Sequence, residues 1–402
     1  MTKPHVPPVA GEVAPGFEPV REEFERNFAE RNELGAACAI YYRGQKVVDL
    51  WGGWRDSRRT QPWQSDTMVI VFSTTKGLAA MTLALAHSRG WLDYEARVAD
   101  YWPEFAQAGK ERVTVRQLLS HQAGLPYIDE RLDRRKLADP DAVAAACARQ
   151  RPAWEPGRRQ GYHAISLGFY ESELLRRVDP QHRSLGRFFA EEIAGPLGIE
   201  CYIGLPADVP AERLAPIQWW TPRRLLSGAN FSSVAAMLPA VLQPASPTRR
   251  AFTNPMPMLA FDRRLVYARG VEMPSVNGVA SARAIARAYS AFALGGAELG
   301  LRAETLAALM APARPPAEGF YDVVLCFRWA LTLGFAQSCP DYRFGSGYTT
   351  FGAPGMGGSI GFADPQAQVG FAYVMNRMGA VVESEERQTA LERAFYRCLG
   401  LT

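Results

Sequence analysis

An uninterrupted apolar run at residues 69–72 precedes a longer segment, residues 77–87, that is rich in Ala, Leu and Met. The first run is β-branched and aromatic, which predicts a buried strand or an approach segment. The second has the composition of a buried helix. The junction between them, Ser73-Thr74-Thr75-Lys76, therefore lies at the predicted start of a helix in the centre of a domain.

The residues before this junction predict a hairpin packed on a helix. Between residues 17 and 28, phenylalanine and valine recur at helical spacing with charged residues between them, which is typical of an amphipathic helix. Residues 36–42 and 46–51 are predicted to be two strands, because the polar segment 43–45 between them has the composition of a tight turn. A hairpin on a helix is the expected start of an α+β domain.

The middle of the chain, from residue 92 to about residue 276, is predicted to be mainly helical. Helical segments such as residues 113–119 and 184–194 are separated by Pro and Gly. Dense prolines between residues 206 and 247 indicate long surface connections. We interpret residues 89–276 as an inserted, mainly helical lobe.

The last part of the chain returns to mixed patterns. Helices are predicted at residues 280–294 and 383–399, and between them lie three runs with strand character, at residues 323–335, 361–363 and 369–375. We predict that residues 1–88 and 277–402 together form one domain, a sheet flanked by helices.

Composition and charge narrow the classes of function. The chain has 402 residues and 48% hydrophobic content, which is enough for a large core in two lobes. Its net charge is only +4 and its arginines are scattered, so nucleic acid is not the expected partner. No run of about 18 apolar residues is present, so no membrane span is expected.

Cysteine and histidine give no sign of a metal or redox site. The six cysteines show no paired spacing and the five histidines form no ligand motif, so we expect reduced thiols, no metal and no cofactor. The polar, Pro-rich residues 1–16 lack the apolar stretch of a secretory signal, and the cytoplasm is the expected compartment.

Ser73 and Lys76 are the strongest candidates for chemistry. Positions i and i+3 of a helix share one face, so the Lys76 amine can reach the Ser73 hydroxyl. The first helical turn offers free N–H groups and a positive dipole end, which favour an oxyanion. Burial lowers the pKa of a lysine and gives the neutral amine that a general base needs. The alternative is a Ser N-cap followed by a solvated Lys.

A second serine, Ser359, lies in a Gly-x-Ser-x-Gly motif, Gly357-Gly358-Ser359-Ile360-Gly361. This motif marks the nucleophile of α/β-hydrolases, in which the catalytic histidine follows the serine in the chain. The last histidine here is His182, so Ser359 cannot complete that triad. The glycines instead suggest a strand whose backbone closely approaches a ligand.

Several other residues are candidates for the site, each with ordinary packing as the alternative. The Tyr162 phenol could share a proton with Ser73 and Lys76, because a nearby ammonium favours phenolate. His163 could add a second polar group. The candidate pocket walls are Tyr127, Ile128, Trp219 and Trp220.

Taken together, these motifs resemble the serine β-lactamase-related family. The resemblance is carried by the serine-lysine pair, by Tyr162-His163 after Trp154-Glu155-Pro156-Gly157, by Leu118-Leu119-Ser120-His121, and by the glycine-rich residues 351–364 followed by Val374-Met375-Asn376-Arg377. It extends from about residue 17 to residue 399. The branch that it resembles most is the family VIII carboxylesterases, relatives of class C β-lactamases. It implies an antiparallel sheet flanked by helices, with the inserted lobe described above.

The resemblance also implies roles for individual residues. Ser73 would be the acylated nucleophile, and Lys76 and Tyr162 would share general base and acid duty. The third motif of the family falls on Ala353-Pro354-Gly355. The backbone N–H groups of Ser73 and Met356 would form the oxyanion hole, with Ala353, Gly355 and Gly357 at the pocket.

Two departures from the family pattern bear on the substrate. Residue 164 is alanine where β-lactamases carry the asparagine of Tyr-x-Asn, and Ala353 stands where they carry the Lys of Lys-Thr-Gly. A β-lactam carboxylate would lose a charge-assisted partner worth about 1.5–3 kcal/mol. A small neutral ester is therefore the expected substrate, cleaved through an acyl-enzyme on Ser73.

Two other functions stay open from the sequence. One is amide or transfer chemistry by the same nucleophile, as in a β-lactamase, a D-aminoacyl amidase or peptidase, or an acyltransferase. The other is a noncatalytic binding module of the same fold, to which the lost third-motif cation would point. The oligomeric state is not encoded in any pattern that we can interpret.

Overall fold

The computed structural model describes residues 9–219, 231–254, 267–379 and 385–401, with backbone alone at 231–236. The strands are β1 (Val9–Val13), β2 (Gly35–Tyr42), β3 (Gln45–Gly53), β4 (Val69–Ile70), β5 (Cys201–Ile203), β6 (Gly278–Ala280), β7 (Ala330–Thr332), β8 (Phe335–Gln337), β9 (Phe351–Pro354), β10 (Ile360–Asp364) and β11 (Val369–Met375).

The α-helices of these residues are α1 (Glu18–Ala29), α2 (Thr74–Ser88), α3 (Val98–Tyr101), α4 (Val115–Leu119), α5 (Arg134–Leu137), α6 (Pro140–Arg149), α7 (Leu167–Val178), α8 (Leu185–Phe189), α9 (Gly195–Leu197), α10 (Phe231–Leu242), α11 (Pro247–Ala251), α12 (Ala282–Ala293), α13 (Ala303–Met310) and α14 (Glu386–Cys398). A π-helical turn at Ala190–Ala194 links α8 to α9, and three short 3-10 helices lie at Pro103–Phe105, Ala211–Arg213 and Ala297–Leu299. No described helix has the length and apolar character needed to cross a membrane.

The main sheet has eight antiparallel strands in the order β1-β3-β2-β11-β10-β9-β8-β7. Its strands lie within residues 9–53 and 330–375. A second sheet, β4-β6-β5, has three short strands, one of which lies in the middle region of the chain. The predicted division into residues 1–88 with 277–402 and an insert at 89–276 stays a prediction.

Helices cover both faces of the main sheet. Gly370 of β11 packs against the backbone of α12. Tyr373, three residues further along, donates on the other side to the Glu33 carboxylate, which also accepts from Arg387 of α14. Side chains alternate across a strand, so α12 and α14 lie on opposite faces. Helix α1 packs on α14, on the face opposite α12.

Helix α2 is the central helix of the molecule. Fourteen of its fifteen residues are buried, which is typical of a helix that is enclosed by protein on all sides. It contacts β8, β9 and β10 on one side and α7 and α8 on the other. The buried helix predicted at residues 77–87 is confirmed and begins at Thr74.

One local expectation was wrong. The run at residues 323–335 is not one strand: it contains only β7 and the first residue of β8, because the Asp322 carboxylate accepts hydrogen bonds from the N–H groups of Val324 and Leu325 and bends the chain there. At the edge of the sheet, β1 from the Pro-rich start of the chain pairs with β3.

Candidate active site

The serine at the start of α2 lies on a tight turn. The chain leaves β4 and passes through Phe72, whose φ of +47° is rare for a bulky residue and costs about 1–3 kcal/mol. Ser73 occupies the N-cap position and its side chain makes no capping hydrogen bond. Thr75 supports the turn, because its hydroxyl donates to the Phe72 carbonyl and accepts from the N–H of Gly278. The Ser73 hydroxyl is therefore left for chemistry.

Lys76 lies one turn further on and is 3% exposed. Its Nζ is 3.4 Å from Ser73 Oγ, and it donates to the carbonyls of Ala164 at 2.6 Å and Ser275 at 3.0 Å. A neutral amine has two hydrogens, so these carbonyls can take both and leave the lone pair facing Ser73. Burial lowers the pKa of Lys76 to about 7, although the negative charge of Glu171 opposes the shift. The alternative of a solvated lysine is wrong.

Tyr162 reaches the same serine from the segment before α7. Its phenol interacts with the Ser73 side chain, and its ring centroid is 4.6 Å from Lys76 Nζ. Burial raises the pKa of the phenol, and the interaction with Ser73 opposes this only in part. The expectation that a nearby ammonium favours phenolate is corrected accordingly. The resting Tyr162 is a proton donor.

A buried carboxylate holds the backbone of Tyr162 in place. Asp322 Oδ1 accepts from the Tyr162 N–H at 3.1 Å, and Oδ2 accepts from Trp329 Nε1 at 2.9 Å. The Trp329 ring in turn packs against the Tyr162 ring at a centroid distance of 5.3 Å. Asp322 and Trp329 thus fix both the backbone and the ring of the tyrosine.

His163 is a packing residue in this structure. It has no exposed surface, its Nδ1 is bonded to the Gly161 carbonyl at 2.7 Å, and its Nε2 accepts from the Leu125 N–H at 3.2 Å. Burial lowers its pKa to about 3, so the ring is neutral. With both ring nitrogens used inside the protein, we leave His163 out of the pocket.

The glycine-rich segment forms a turn between β9 and β10 that lies directly against the start of α2. The N–H of Gly355 donates to the Ser359 carbonyl at 2.6 Å, and the N–H of Gly358 donates to the Gly355 carbonyl at 3.1 Å. A Cβ on Gly355 would lie 2.4 Å from the Val71 carbonyl oxygen and 2.7 Å from Thr74 Oγ1. Only glycine fits this approach. Met356, which follows it, is half-buried on the turn.

Ser359 fastens this turn to the nucleophile's turn. Its Oγ donates to the Val71 carbonyl at 2.9 Å and is 3.1 Å from Thr74 Oγ1, and the residue is 1% exposed. A hydroxyl committed in this way is not an exposed nucleophile, which agrees with the sequence argument against Ser359. Its position joins the segment that carries Ser73 to the segment that carries Met356.

We expect Ser359→Ala to lower kcat for ester hydrolysis by about tenfold with little change in KM, because losing the contacts to Val71 and Thr74, about 1–2 kcal/mol together, loosens the turn without touching the substrate. Ser290→Ala is the matched control, since Ser290 is also buried and its hydroxyl has no partner among the described residues. Equal kcat values for the two variants would show that Ser359 does not order the turn.

The remaining pocket candidates differ in how close they lie to Ser73 and Lys76. Trp219 packs edge-on against Phe72 at a centroid distance of 5.8 Å, next to the nucleophile. Ala353 is buried, its uncharged methyl lies against α2, and a Cβ on Gly77 would be 3.1 Å from it. Gly357 packs against two methionine side chains, those of residues 375 and 378.

Tyr127 and Ile128 lie in a buried segment whose contacts run to Arg250 and Asn254. The Tyr127 ring and hydroxyl are both engaged by Arg250, whose guanidinium carbon lies 3.7 Å from the ring centroid. The Ile128 carbonyl accepts from Asn254. Trp220 lies outside the described residues. Among the described residues, no group of three or more His, Cys, Asp or Glu side chains is arranged to hold a metal ion.

The sequence patterns did not predict the groups that hold Ser73, Lys76 and Tyr162 in position. The Lys76 acceptors are backbone carbonyls, which leave no signature in side-chain identity. Asp322 is a single acidic residue at the head of an apolar run, and nothing near it in the chain points to Tyr162. The Gly-x-Ser-x-Gly motif suggests only a nucleophile at Ser359. Its neighbours in space, Val71 and Thr74, are almost 300 residues away along the chain.

Comparison with known proteins places these residues in context. A family model described as Beta-lactamase matches residues 22–394. The chain is 34% identical over 382 residues to the esterase/beta-lactamase LipL of Mycobacterium tuberculosis, covering 92% of this chain and 83% of LipL.

Two solved structures are similar along nearly the whole chain. A family VIII carboxylesterase is 37% identical with a TM-score of 0.83, covering 97% of this chain and 100% of that one. A penicillin-binding protein homologue from Caulobacter crescentus is 36% identical with a TM-score of 0.84, with the same coverage of 97% and 100%.

Proposed function

The chain belongs to the β-lactamase family, and from that premise we propose that it is a serine carboxylesterase that cleaves small carboxylic esters through an acyl-enzyme on Ser73. One observation carries the proposal: the Lys76 amine, buried and held by two carbonyls, lies 3.4 Å from the Ser73 hydroxyl, with which Tyr162 also interacts.

Acylation follows from this arrangement. Lys76 Nζ takes the Ser73 proton as Oγ attacks the ester carbonyl carbon, and the carbonyl π electrons move onto the oxygen. The N–H groups of Ser73 and Met356 hold that oxyanion. As the C–O bond to the leaving group breaks, the Tyr162 phenol gives its proton to the leaving oxygen and regains one from the Lys76 ammonium.

Deacylation uses the same groups in reverse. Water takes the place of the leaving alcohol and gives a proton through Tyr162 to Lys76 while it attacks the acyl carbon. The proton then returns to Ser73 Oγ as the acyl group leaves. Every step uses side chains and backbone groups of this chain.

The third motif favours esters over β-lactams. The Ala353 side chain is a methyl group packed against Gly77, and a methyl group supplies no positive charge to pair with a carboxylate. LipL carries both esterase and β-lactamase in its name, and the related structure is described as a carboxylesterase. We take the small-molecule ester as the substrate class, with the cytoplasm as the compartment that the sequence predicts.

Purified protein is expected to hydrolyse p-nitrophenyl butyrate with a kcat/KM about 10-fold to 100-fold above that for nitrocefin, because the latter carries a carboxylate without a partner worth about 1.5–3 kcal/mol. Strong nitrocefin turnover with no ester cleavage would reject the esterase and favour amide chemistry, to which the penicillin-binding protein homologue points.

A further inference from the structure

Arg387 carries a buried guanidinium for which the mechanism above has no use. It is the second residue of α14, and its side chain is 3% exposed. Nη1 donates to the Glu33 carboxylate at 2.7 Å, and Nε donates to the Glu385 carboxylate at 2.9 Å. A buried ion pair adds little net stability over apolar packing, so a charge in this position needs another physical reason.

The guanidinium also reaches the glycine-rich turn between β9 and β10. Arg387 Nη2 donates to the Gly357 carbonyl at 3.2 Å, and the Gly379 N–H donates to the same oxygen at 2.9 Å. The Glu385 side chain packs over this turn, because a Cβ on Gly358 would lie 2.8 Å from its Cγ. One carbonyl of the turn is therefore held from outside by a charged donor and a backbone donor.

Two peptide units link this carbonyl to the N–H of Met356. In a planar trans peptide the C=O and the N–H point in opposite directions. The Gly357 carbonyl and the Gly358 N–H belong to one such unit, and that N–H donates to the Gly355 carbonyl at 3.1 Å. The Gly355 carbonyl shares its own peptide unit with the Met356 N–H. The bond from Gly358 therefore fixes the direction in which the Met356 N–H points.

These bonds form a continuous chain from the guanidinium to the Met356 N–H. Hydrogen bonds in such a chain polarise one another, and a charged donor polarises more than a neutral one. The charge of Arg387 thus makes the Met356 N–H a better donor. The guanidinium is itself fixed, because Nη1 also donates to the Arg377 carbonyl at 3.1 Å and the Tyr373 hydroxyl donates to Glu33.

Building on the proposed function, we propose that Arg387 is a positioning residue that holds the Met356 N–H in place for the oxyanion. It acts through the peptide units of Gly357 and Gly355 and does not touch the substrate. No bond to Arg387 is made or broken in the reaction. Loss of the guanidinium is expected to weaken binding of the transition state and to leave binding of the neutral ester nearly unchanged.

Two variants remove the bond to Gly357 without leaving the Glu33 carboxylate buried and unpaired. In Arg387→Lys, the ammonium is expected to stay with the carboxylates of Glu33 and Glu385, because charge-assisted bonds are the stronger ones. In the double variant Glu33→Gln with Arg387→Met, both charges of that pair are removed. Each variant is expected to lower kcat for p-nitrophenyl butyrate by about 10-fold to 100-fold with little change in KM, up to the effect of losing an oxyanion donor. Thermal unfolding shows that each is folded.

One NMR signal reports on the turn independently of catalysis. Gly355-Met356 is the only Gly-Met pair in the sequence, so labelling with ¹³C′-glycine and ¹⁵N-methionine gives a single correlation across that peptide bond. A hydrogen bond to a carbonyl deshields its carbon. The Gly355 ¹³C′ signal is therefore expected to move upfield in both Arg387 variants, as the bond from Gly358 weakens.

Arg183→Met is the matched control for the loss of a buried guanidinium. The Arg183 side chain is also 3% exposed, and it pairs with Asp179, Glu191 and Glu192, which lie between the end of α7 and the π-helical turn. This variant is expected to be less stable, with an unchanged kcat per folded molecule and an unmoved Gly355 signal.

The inference and the proposed function fail in different ways. An unmoved Gly355 signal in both Arg387 variants, or a moved signal with the kcat of the unsubstituted protein, would overturn the positioning role. A moved signal in a protein that cleaves no ester would leave the hold of Arg387 on the turn standing and reject the esterase. An equal shift in Arg183→Met would also overturn the inference, because it would show a general effect of removing a buried charge.

Discussion

Replacing Ser73 with alanine is expected to lower kcat/KM for p-nitrophenyl butyrate by about 10⁴-fold or more, because it removes the hydroxyl that lies beside the Lys76 amine and takes the acyl group. Residual turnover would come from binding and from the oxyanion donors. The measurement is steady-state kinetics at pH 8, with thermal unfolding to show that the variant is folded.

Ser359→Ala distinguishes the two candidate serines in the same assay. Ser359 lies in the Gly-x-Ser-x-Gly motif, yet its hydroxyl is bonded to Val71 and Thr74. The Ser359→Ala substitution should therefore lower kcat only by the tenfold given above. A loss in Ser359→Ala as deep as that in Ser73→Ala, with Ser73→Ala still active, would reverse the assignment.

Replacing Lys76 with methionine is expected to lower kcat/KM by about 10²–10⁴-fold, because the Ser73 proton then has no amine to accept it. Methionine keeps the apolar length of the side chain inside the core. The acid limb near pH 7, which we assign to the Lys76 amine, should disappear from what activity remains.

Lys110→Met is the control for the loss of a buried lysine. Lys110 has no exposed surface and its Nζ donates to the carbonyls of Gln107, Ala148 and Gln150, so it resembles Lys76 in burial and bonding but has no serine beside it. We expect lower stability and an unchanged kcat/KM per folded molecule. A similar fall in activity for both lysines would argue that Lys76 is structural.

The central part of the fold and of the site could be predicted because it depends on short-range pattern. A helix buried on all sides needs apolar residues at every position, and α2 shows this in its sequence. The spacing of Ser73 and Lys76 then fixes which face they share. Tyr162 comes from a different segment, and the residues alone left packing as its alternative until the resemblance to a family assigned it to the pair.

The features that could not be predicted depend on contacts between distant segments. The sequence predicts that a nearby ammonium favours phenolate at Tyr162. Burial outweighs this effect and raises the pKa of the phenol, and burial is visible only in the folded chain. Residues 323–335 have strand composition, but Asp322 bends them. The burial of Glu171 does have a signal in the sequence. Glu171 lies four residues after Leu167 and four before Leu175, which places it on the buried face of α7.

The most direct test of the account is the site of covalent labelling. Intact-mass measurement after reaction with a fluorophosphonate, followed by peptide mapping, is expected to show one adduct on Ser73, and none in Ser73→Ala. An unlabelled protein would point to the noncatalytic module, and an adduct on Ser359 or on any residue other than Ser73 would contradict the nucleophile on which the whole mechanism rests.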